Sequence, residues 1–109
     1  GELLGDCGIT MQQIHGQRLP EIGFHMKKSV WGQGYATEAA RACLAWGMQQ
    51  TDFRAFYCYQ KSTNLPSRRV AEKLGMTLQE IYADPVNMFT SVYAITRAEF
   101  FAKVQNDLQ

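Results

Sequence analysis

Apolar residues recur along the chain with two different periods, and the change of period marks the predicted elements. Between residues 2 and 14 apolar side chains are broken by glycines, which indicates an irregular strand, and 21–26 reads as a second, short strand. Residues 15–20 carry Gly16 and Pro20 and are predicted to form a turn between these strands. Residues 27–34 form a polar loop that contains glycines.

From residue 35 to 50 small and apolar residues recur at helical spacing, which predicts a helix with one face on a sheet. An aromatic-rich strand is predicted at 54–60 and a second helix at 65–74, with Pro66 in its first turn and Gly75 as its C-cap. Two strands at 77–82 and 88–95 and a short helical segment at 98–104 complete the chain.

The resulting order is strand, strand, helix, strand, helix, strand, strand. Alternation in the middle predicts a mixed α/β sheet with a parallel pair connected across the first helix. The strands at the two ends of the chain are expected to pair antiparallel. No linker or repeat interrupts residues 1–109, so we expect a single domain.

Composition narrows the classes of partner. The 109 residues are 46% apolar and carry a net charge of +1, so one core forms and no broad attraction to nucleic acid or anionic membrane is expected. Apolar runs are too short to cross a bilayer, and no secretion signal is recognisable. Cys7, Cys43 and Cys58 lack metal-ligand or disulfide spacing, which favours a cytoplasmic protein without a metal.

The loop before the first helix contains Gly32-Gln33-Gly34. Glycines allow the backbone to approach a ligand, and the first amides of a helix lack intrahelical partners, so this turn suits a pyrophosphate. The sequence has no GxxxxGK[ST] motif, and Thr37 stands where a dinucleotide fingerprint requires glycine. A lone GxG by itself leaves an ordinary strand-to-helix turn open.

Three segments together resemble the GCN5-related N-acetyltransferase (GNAT) superfamily. Residues 31–39, WGQGYATEA, resemble its (Gln/Arg)-x-x-Gly-x-(Gly/Ala) signature at Gly34 and Ala36. Trp31 departs from the first position, as in the branch that includes ribosomal-protein N-terminal acetyltransferases. Residues 64–76, NLPSRRVAEKLGM, resemble the N-x-x-S-x-x-x-x-E-K-x-G segment of that branch, and 21–24, EIGF, is a weaker match.

The resemblance covers residues 4–97 and implies an acyl-CoA N-acyltransferase fold. Its sheet is mostly antiparallel with a central splayed parallel pair, and this chain would lack the initial strand, two helices and strand. It would be the C-terminal portion that binds acetyl-CoA, the implied co-substrate. The cofactor-binding residues implied by position are Phe24, His25, Met26, Trp31, Gly32, Gln33, Gly34, Tyr35, Ala36, Thr37, Asn64 and Arg68.

The resemblance also suggests catalytic groups. The tyrosine that many members use as the acid is replaced by Ala71, so Ser67 is the expected substitute, with water as the alternative. Glu21 is the expected base, although some members carry a glutamate where Tyr59 stands. His25, a group outside the chain, or water are the open alternatives for the base.

Two functions follow from this resemblance. The first is an N-acetyltransferase that acts on a primary amine, either a small molecule or a protein N-terminus. The second is a non-catalytic acyl-CoA-binding or interaction domain left after loss of the acceptor half. An aromatic cluster near the C-terminus makes a homodimer possible, and neither nucleic acid nor membrane is an expected partner.

Overall fold

The computed structural model describes residues 5–26 and 34–107, which form five strands and three helices. In chain order the elements are β1 (Gly5–Ile14), β2 (Gln17–Met26), α1 (Tyr35–Gln50), β3 (Ala55–Lys61), α2 (Leu65–Lys73), β4 (Thr77–Asp84), β5 (Met88–Thr96) and α3 (Arg97–Asp107). No helix in these ranges combines the length and the apolar character needed to cross a membrane.

The strands form one sheet in the order β1-β2-β3-β5-β4. All neighbouring strands pair antiparallel except β2 and β3, which are parallel and share a single residue pair, Glu21 with Tyr57. The prediction of a mixed, mostly antiparallel α/β sheet with one parallel pair across the first helix is therefore confirmed. The last helix is longer than the predicted 98–104, and β4 continues beyond residue 82.

The predicted turn at 15–20 is wrong. His15 and Gly16 alone form the turn, with φ of 51° and 78°, and β2 begins directly afterwards. Two positive φ values give a hairpin turn whose twist matches that of the strands. Pro20 is tolerated inside β2 because it lies opposite Met11, three pairs from the turn, where the partners share no hydrogen bonds.

The core lies between one face of the sheet and helices α1 and α2. The buried positions of α1 recur every three or four residues up to an adjacent pair at its end, as the helical pattern predicted: Thr37, Ala40, Leu44, Gly47 and Met48. They pack with a cluster drawn from the strands and α2, consisting of Ile22, Phe56, Cys58, Ala71, Leu74, Met76, Tyr93 and Ile95.

Arg97 binds the C-terminal end of α1 and the loop that follows it. Arg97 donates through Nη1 to the carbonyl of Met48 at 2.6 Å, through Nη2 to the carbonyl of Thr51, and through Nε to that of Phe53 at 3.1 Å. Carbonyls at the end of a helix have no intrahelical partner and carry partial negative charge, so a guanidinium suits them. Because α1 connects two parallel strands, its other end lies where β2 and β3 terminate.

Replacing Gly47 by alanine tests how closely α1 approaches the sheet. Alanine normally stabilises a helix interior by about 1 kcal/mol relative to glycine. Here an added Cβ would lie 2.6 Å from Cζ of Phe56, so we expect the free energy of unfolding to fall by about 1–3 kcal/mol instead. Urea unfolding measures the difference, with Gln49→Ala on the exposed face of α1 as the control. Equal or greater stability of Gly47→Ala would contradict the packing.

Candidate functional site

The two parallel strands separate immediately after their single backbone pair. The amide of Tyr59 donates to Oε2 of Glu21 at 3.2 Å, and the thiol of Cys58 donates to the carbonyl of Ile22 at 3.3 Å. These side chains therefore form hydrogen bonds with backbone groups that would pair with each other if the β2–β3 ladder continued. No further backbone pair joins β2 to β3 within the described residues, and in this gap in the pairing a chain containing amides can add itself like a strand.

The N-terminus of α1 lies at this same end of the sheet. Its N-cap, Gly34, has φ 83° and provides no side-chain cap. The first backbone bond of the helix runs from the amide of Glu38 to the carbonyl of Gly34 at 3.0 Å. The amides of residues 35–37 therefore have no intrahelical acceptor, and they lie at the positive end of the helix dipole, an arrangement that suits a phosphate.

The structure describes only some of the predicted phosphate-binding residues. Trp31, Gly32 and Gln33 lie outside it, whereas Gly34, Tyr35, Ala36 and Thr37 open α1. Only 8% of Thr37 is exposed, on the core face of α1, so this residue offers its backbone rather than its side chain. A Cβ added at Gly34 would meet no atom of the described residues within 4 Å.

The end of β2 contributes mainly backbone to the gap. Phe24 packs its side chain against the core, and His25, the next residue, is exposed on the opposite face of the strand. Met26 ends the strand opposite Gly5, and its side chain is outside the description. The predicted role of these three residues, to line the slot of the pantetheine arm, stays a prediction that rests on their main-chain atoms.

Asn64 and Ser67 are adjacent at the start of α2. Oδ1 of Asn64 accepts from the amide of Ser67 at 3.3 Å, so the asparagine caps the helix. Its own amide donates to the carbonyl of Lys61 at 2.8 Å, which fixes it beside the end of β3. Contact of Asn64 with the cofactor and proton donation by Ser67 stay predictions. Ala71 is fully buried in the core, so that position supplies no acid.

Arg68 is engaged within the chain. Its Nε donates to the hydroxyl of Tyr93 at 3.1 Å, and its Nη1 donates to the carbonyl of Ser62 at 2.9 Å. The guanidinium also lies over the Tyr93 ring, 5.8 Å from its centroid. These contacts tie α2 to β5 and to the loop after β3. A contact of Arg68 with a CoA phosphate stays a prediction.

A cavity of about 240 Å³ lies on the face of the sheet opposite Ile22 and Phe56. β1 and β4 are the two edges of the sheet, yet His15 in the β1–β2 turn contacts Glu80 of β4 at 2.6 Å. The sheet therefore curls around the cavity. The lining residues are Gln12, Ile14, Glu21, Tyr59, Gln60, Tyr82, Asp84, Asn87 and Thr90.

Most of this lining was missed by the sequence analysis, which had singled out Glu21 and mentioned Tyr59. Asp84 ends β4 at the turn before β5, and its Oδ1 accepts from the amide of Val86 at 2.7 Å. Oδ2 of Asp84 accepts from the hydroxyl of Thr90 at 2.9 Å. Nothing in the local pattern places this turn beside Glu21, because that requires the order of the strands in the sheet.

Glu21 is the titratable group that lies between the gap and the cavity. Burial raises the pKa of its carboxyl above the ordinary value of 4.5, against the opposing effects of hydrogen bonds from Tyr59, Gln12 and Thr10 and the charge of His25. A carboxylate with a raised pKa is a stronger base near neutral pH. Within 5–26 and 34–107, no three His, Cys, Asp or Glu side chains are grouped as metal ligands.

Comparison with known proteins adds independent findings. A family model described as Acetyltransferase (GNAT) domain matches residues 1–77. The chain is 49% identical over 76 residues to the uncharacterized protein YkkB of Bacillus subtilis, an overlap of 70% of this chain and 44% of YkkB. The chain therefore spans less than half the length of that relative.

Two solved acetyltransferase structures have a similar fold. An acetyltransferase of the GNAT family from Bacillus anthracis superposes with a TM-score of 0.70 at 28% identity, covering 84% of this chain and 58% of that one. RimL ribosomal-protein alpha-N-acetyltransferase in complex with coenzyme A gives a TM-score of 0.66 at 22% identity, covering 72% and 47%. The second likeness concerns the fold alone.

Replacing Glu21 by glutamine tests the electrostatics. Since the pKa of Glu21 is raised in the folded chain, its favourable contribution is complete below the unfolded pKa and is lost as the pH rises through the folded pKa. We expect Glu21→Gln to unfold at higher urea than the native chain at about pH 8, and this advantage to vanish near about pH 4.

Glu99→Gln provides a control of opposite sign. Hydrogen bonds from the amide and the hydroxyl of Thr96 lower the pKa of Glu99, so its contribution is present above the unfolded pKa and disappears as the pH falls. Glutamine at 99 should therefore weaken the fold at neutral pH and matter less in acid. A loss of stability for Glu21→Gln at about pH 8 would show that its carboxylate is stabilising.

Proposed function

Because this chain belongs to the GNAT acetyltransferase domain family, we propose that it binds acetyl-CoA and transfers the acetyl group to a primary amine. The observation that carries the proposal is the uncapped N-terminus of α1 beside the gap between β2 and β3. One feature suits the diphosphate and the other suits the pantetheine arm of the same molecule.

In this proposal the amides of residues 35–37, together with Trp31, Gly32, Gln33 and Gly34, hold the diphosphate. The arm then runs between the end of β2 and the end of β3 and reaches Asn64 at the start of α2. The complex of the RimL acetyltransferase with coenzyme A supports this assignment, since that protein shares the fold. Glycine at 34 allows both the positive φ and the close approach of the phosphates.

The acetyl group would then lie at the point where the strands separate, with Glu21 beside it. The amine reaches it from the cavity face, gives a proton to the Glu21 carboxylate and attacks the thioester carbon. The amide near Met26 stabilises the oxygen that becomes negative. The C–S bond breaks as the C–N bond forms, the nitrogen releases its second excess proton to water, and the thiolate takes a proton from water, directly or through Ser67.

A non-catalytic acyl-CoA-binding domain is the competing function. Buried Ala71 and the replacement of a glutamate by Tyr59 favour it, because both remove groups that related enzymes use. The half-buried carboxylate of Glu21 inside the cavity favours catalysis. A homodimer through exposed aromatic residues such as Phe101 of α3 and a cytoplasmic location complete the proposal.

Substitution of Gly34 tests cofactor binding with a matched pair. Gly34→Asp and Gly34→Asn impose similar strain at φ 83°, and a Cβ there meets no described atom. Only aspartate places a negative charge against the proposed diphosphate. We expect calorimetry with CoA to show binding by the native chain, weaker binding by the asparagine variant and loss of binding by the aspartate variant. Equal affinities of the two variants would contradict a phosphate at this helix end.

Thiol release from acetyl-CoA with a panel of primary amines separates the two functions. If the chain is catalytic, the rate should increase with pH as Glu21 ionises, and Glu21→Gln should lower kcat by about 100-fold or more. Glu80→Gln, which alters the exposed carboxylate paired with His15, should preserve the rate. Binding of CoA without release of thiol by any amine would favour the non-catalytic domain.

A further inference from the structure

The hydroxyl of Tyr59 is the only buried polar side-chain atom in the described ranges that lacks a hydrogen-bond partner. A phenol oxygen excluded from water and left without a partner destabilises a fold, and native proteins rarely retain one without a use. Tyr59 is one of the residues that line the cavity containing Glu21, which suggests a ligand in that cavity as the missing partner of its hydroxyl.

Two of the other polar side chains in the cavity lining, Asp84 and Gln60, make hydrogen bonds within the chain. The carboxylate of Asp84 accepts from the amide of Val86 and the hydroxyl of Thr90. The side chain of Gln60 donates to the carbonyl of Ser67 at 3.3 Å and accepts from the hydroxyl of Ser91 at 3.1 Å. These internal hydrogen bonds occupy Asp84 and Gln60, whereas the hydroxyl of Tyr59 has no partner within the described residues.

Tyr59 is also held in place. Its amide donates to Oε2 of Glu21 at 3.2 Å, and its ring stacks on that of Tyr57 at 6.1 Å between centroids, with the planes 15° apart. Burial, followed by the charge of Glu21, raises the pKa of the Tyr59 phenol. The group therefore stays protonated at physiological pH and acts as a hydrogen-bond donor beside a carboxylate.

We propose that the Tyr59 hydroxyl is a specificity group that donates to a neutral oxygen, a carbonyl or hydroxyl, carried by the acceptor close to its amino group. This inference rests on the proposed function, in which the amine approaches Glu21. No lysine or arginine lines the cavity, so its described lining suits a cationic amine. A volume of about 240 Å³ holds about eight water molecules, enough for a group the size of one amino-acid residue.

Three amines of similar size test this inference on the full chain saturated with CoA. Glycinamide carries a carbonyl near its amine, ethanolamine carries a hydroxyl, and propylamine carries neither. We expect the native chain to bind the first two more tightly than propylamine in calorimetry. Tyr59→Phe should weaken the first two by about 3- to 10-fold, the effect of one neutral hydrogen bond, and leave propylamine unchanged.

Tyr59→Phe should weaken amine binding but should not weaken the fold. Phenylalanine removes the unpaired oxygen and keeps the ring, so the Tyr59→Phe chain should melt at or above the temperature of the native chain. Tyr57→Phe, in the stacked ring outside the cavity lining, should change neither the preference among amines nor their affinities.

Three results would overturn the inference: a lower melting temperature for Tyr59→Phe, equal losses for glycinamide and propylamine, or no binding of any of the three amines. A failure of the proposed function is recognised separately, as absence of CoA binding or of thiol release. Binding of glycinamide to the chain without CoA, compared between native and Tyr59→Phe, still decides the role of the hydroxyl in that case.

Discussion

The separation of β2 from β3 after the pair Glu21–Tyr57 is the constraint on which the rest of the site depends. Parallel strands that stop pairing expose backbone groups, and buried backbone groups need partners. The chain supplies one partner from each strand, the carboxylate of Glu21 for the amide of Tyr59 and the thiol of Cys58 for the carbonyl of Ile22. These two hydrogen bonds stabilise the point at which the strands separate.

Helix α1 shows the same division between a satisfied end and an open end. Arg97 binds the carbonyls at its C-terminus, and Gly47 lets its final turns lie against Phe56. Its N-terminus begins at Gly34 without a side-chain cap, although helices commonly place serine, threonine, asparagine or aspartate there. The contrast shows that the packed end holds α1 on the sheet, whereas the first amides at the other end have no acceptor within the helix.

The sequence was sufficient where the signal is local. The helical period after Tyr35 and the GxG string that ends at Gly34 placed α1 and its N-terminus correctly. The turn before β2 was predicted to be too long because proline usually ends a strand. The effect of Pro20 depends instead on which pairs of β1 and β2 share hydrogen bonds. The lining of the cavity could not be predicted, since it needs β4 and β5 to be ordered beside β3 and the sheet to curl until His15 reaches Glu80.

Glu21 unites the two faces of the site, and its two oxygens explain how it serves both. Oε2 accepts the amide of Tyr59 and so links β2 to β3 where their backbone pairing ends. A carboxylate has lone pairs beyond those used by one amide, so it can take a proton from an amine without releasing that bond. Glu21 therefore bonds to the neighbouring strand and also lines the cavity from which, in the proposed function, the acceptor amine arrives.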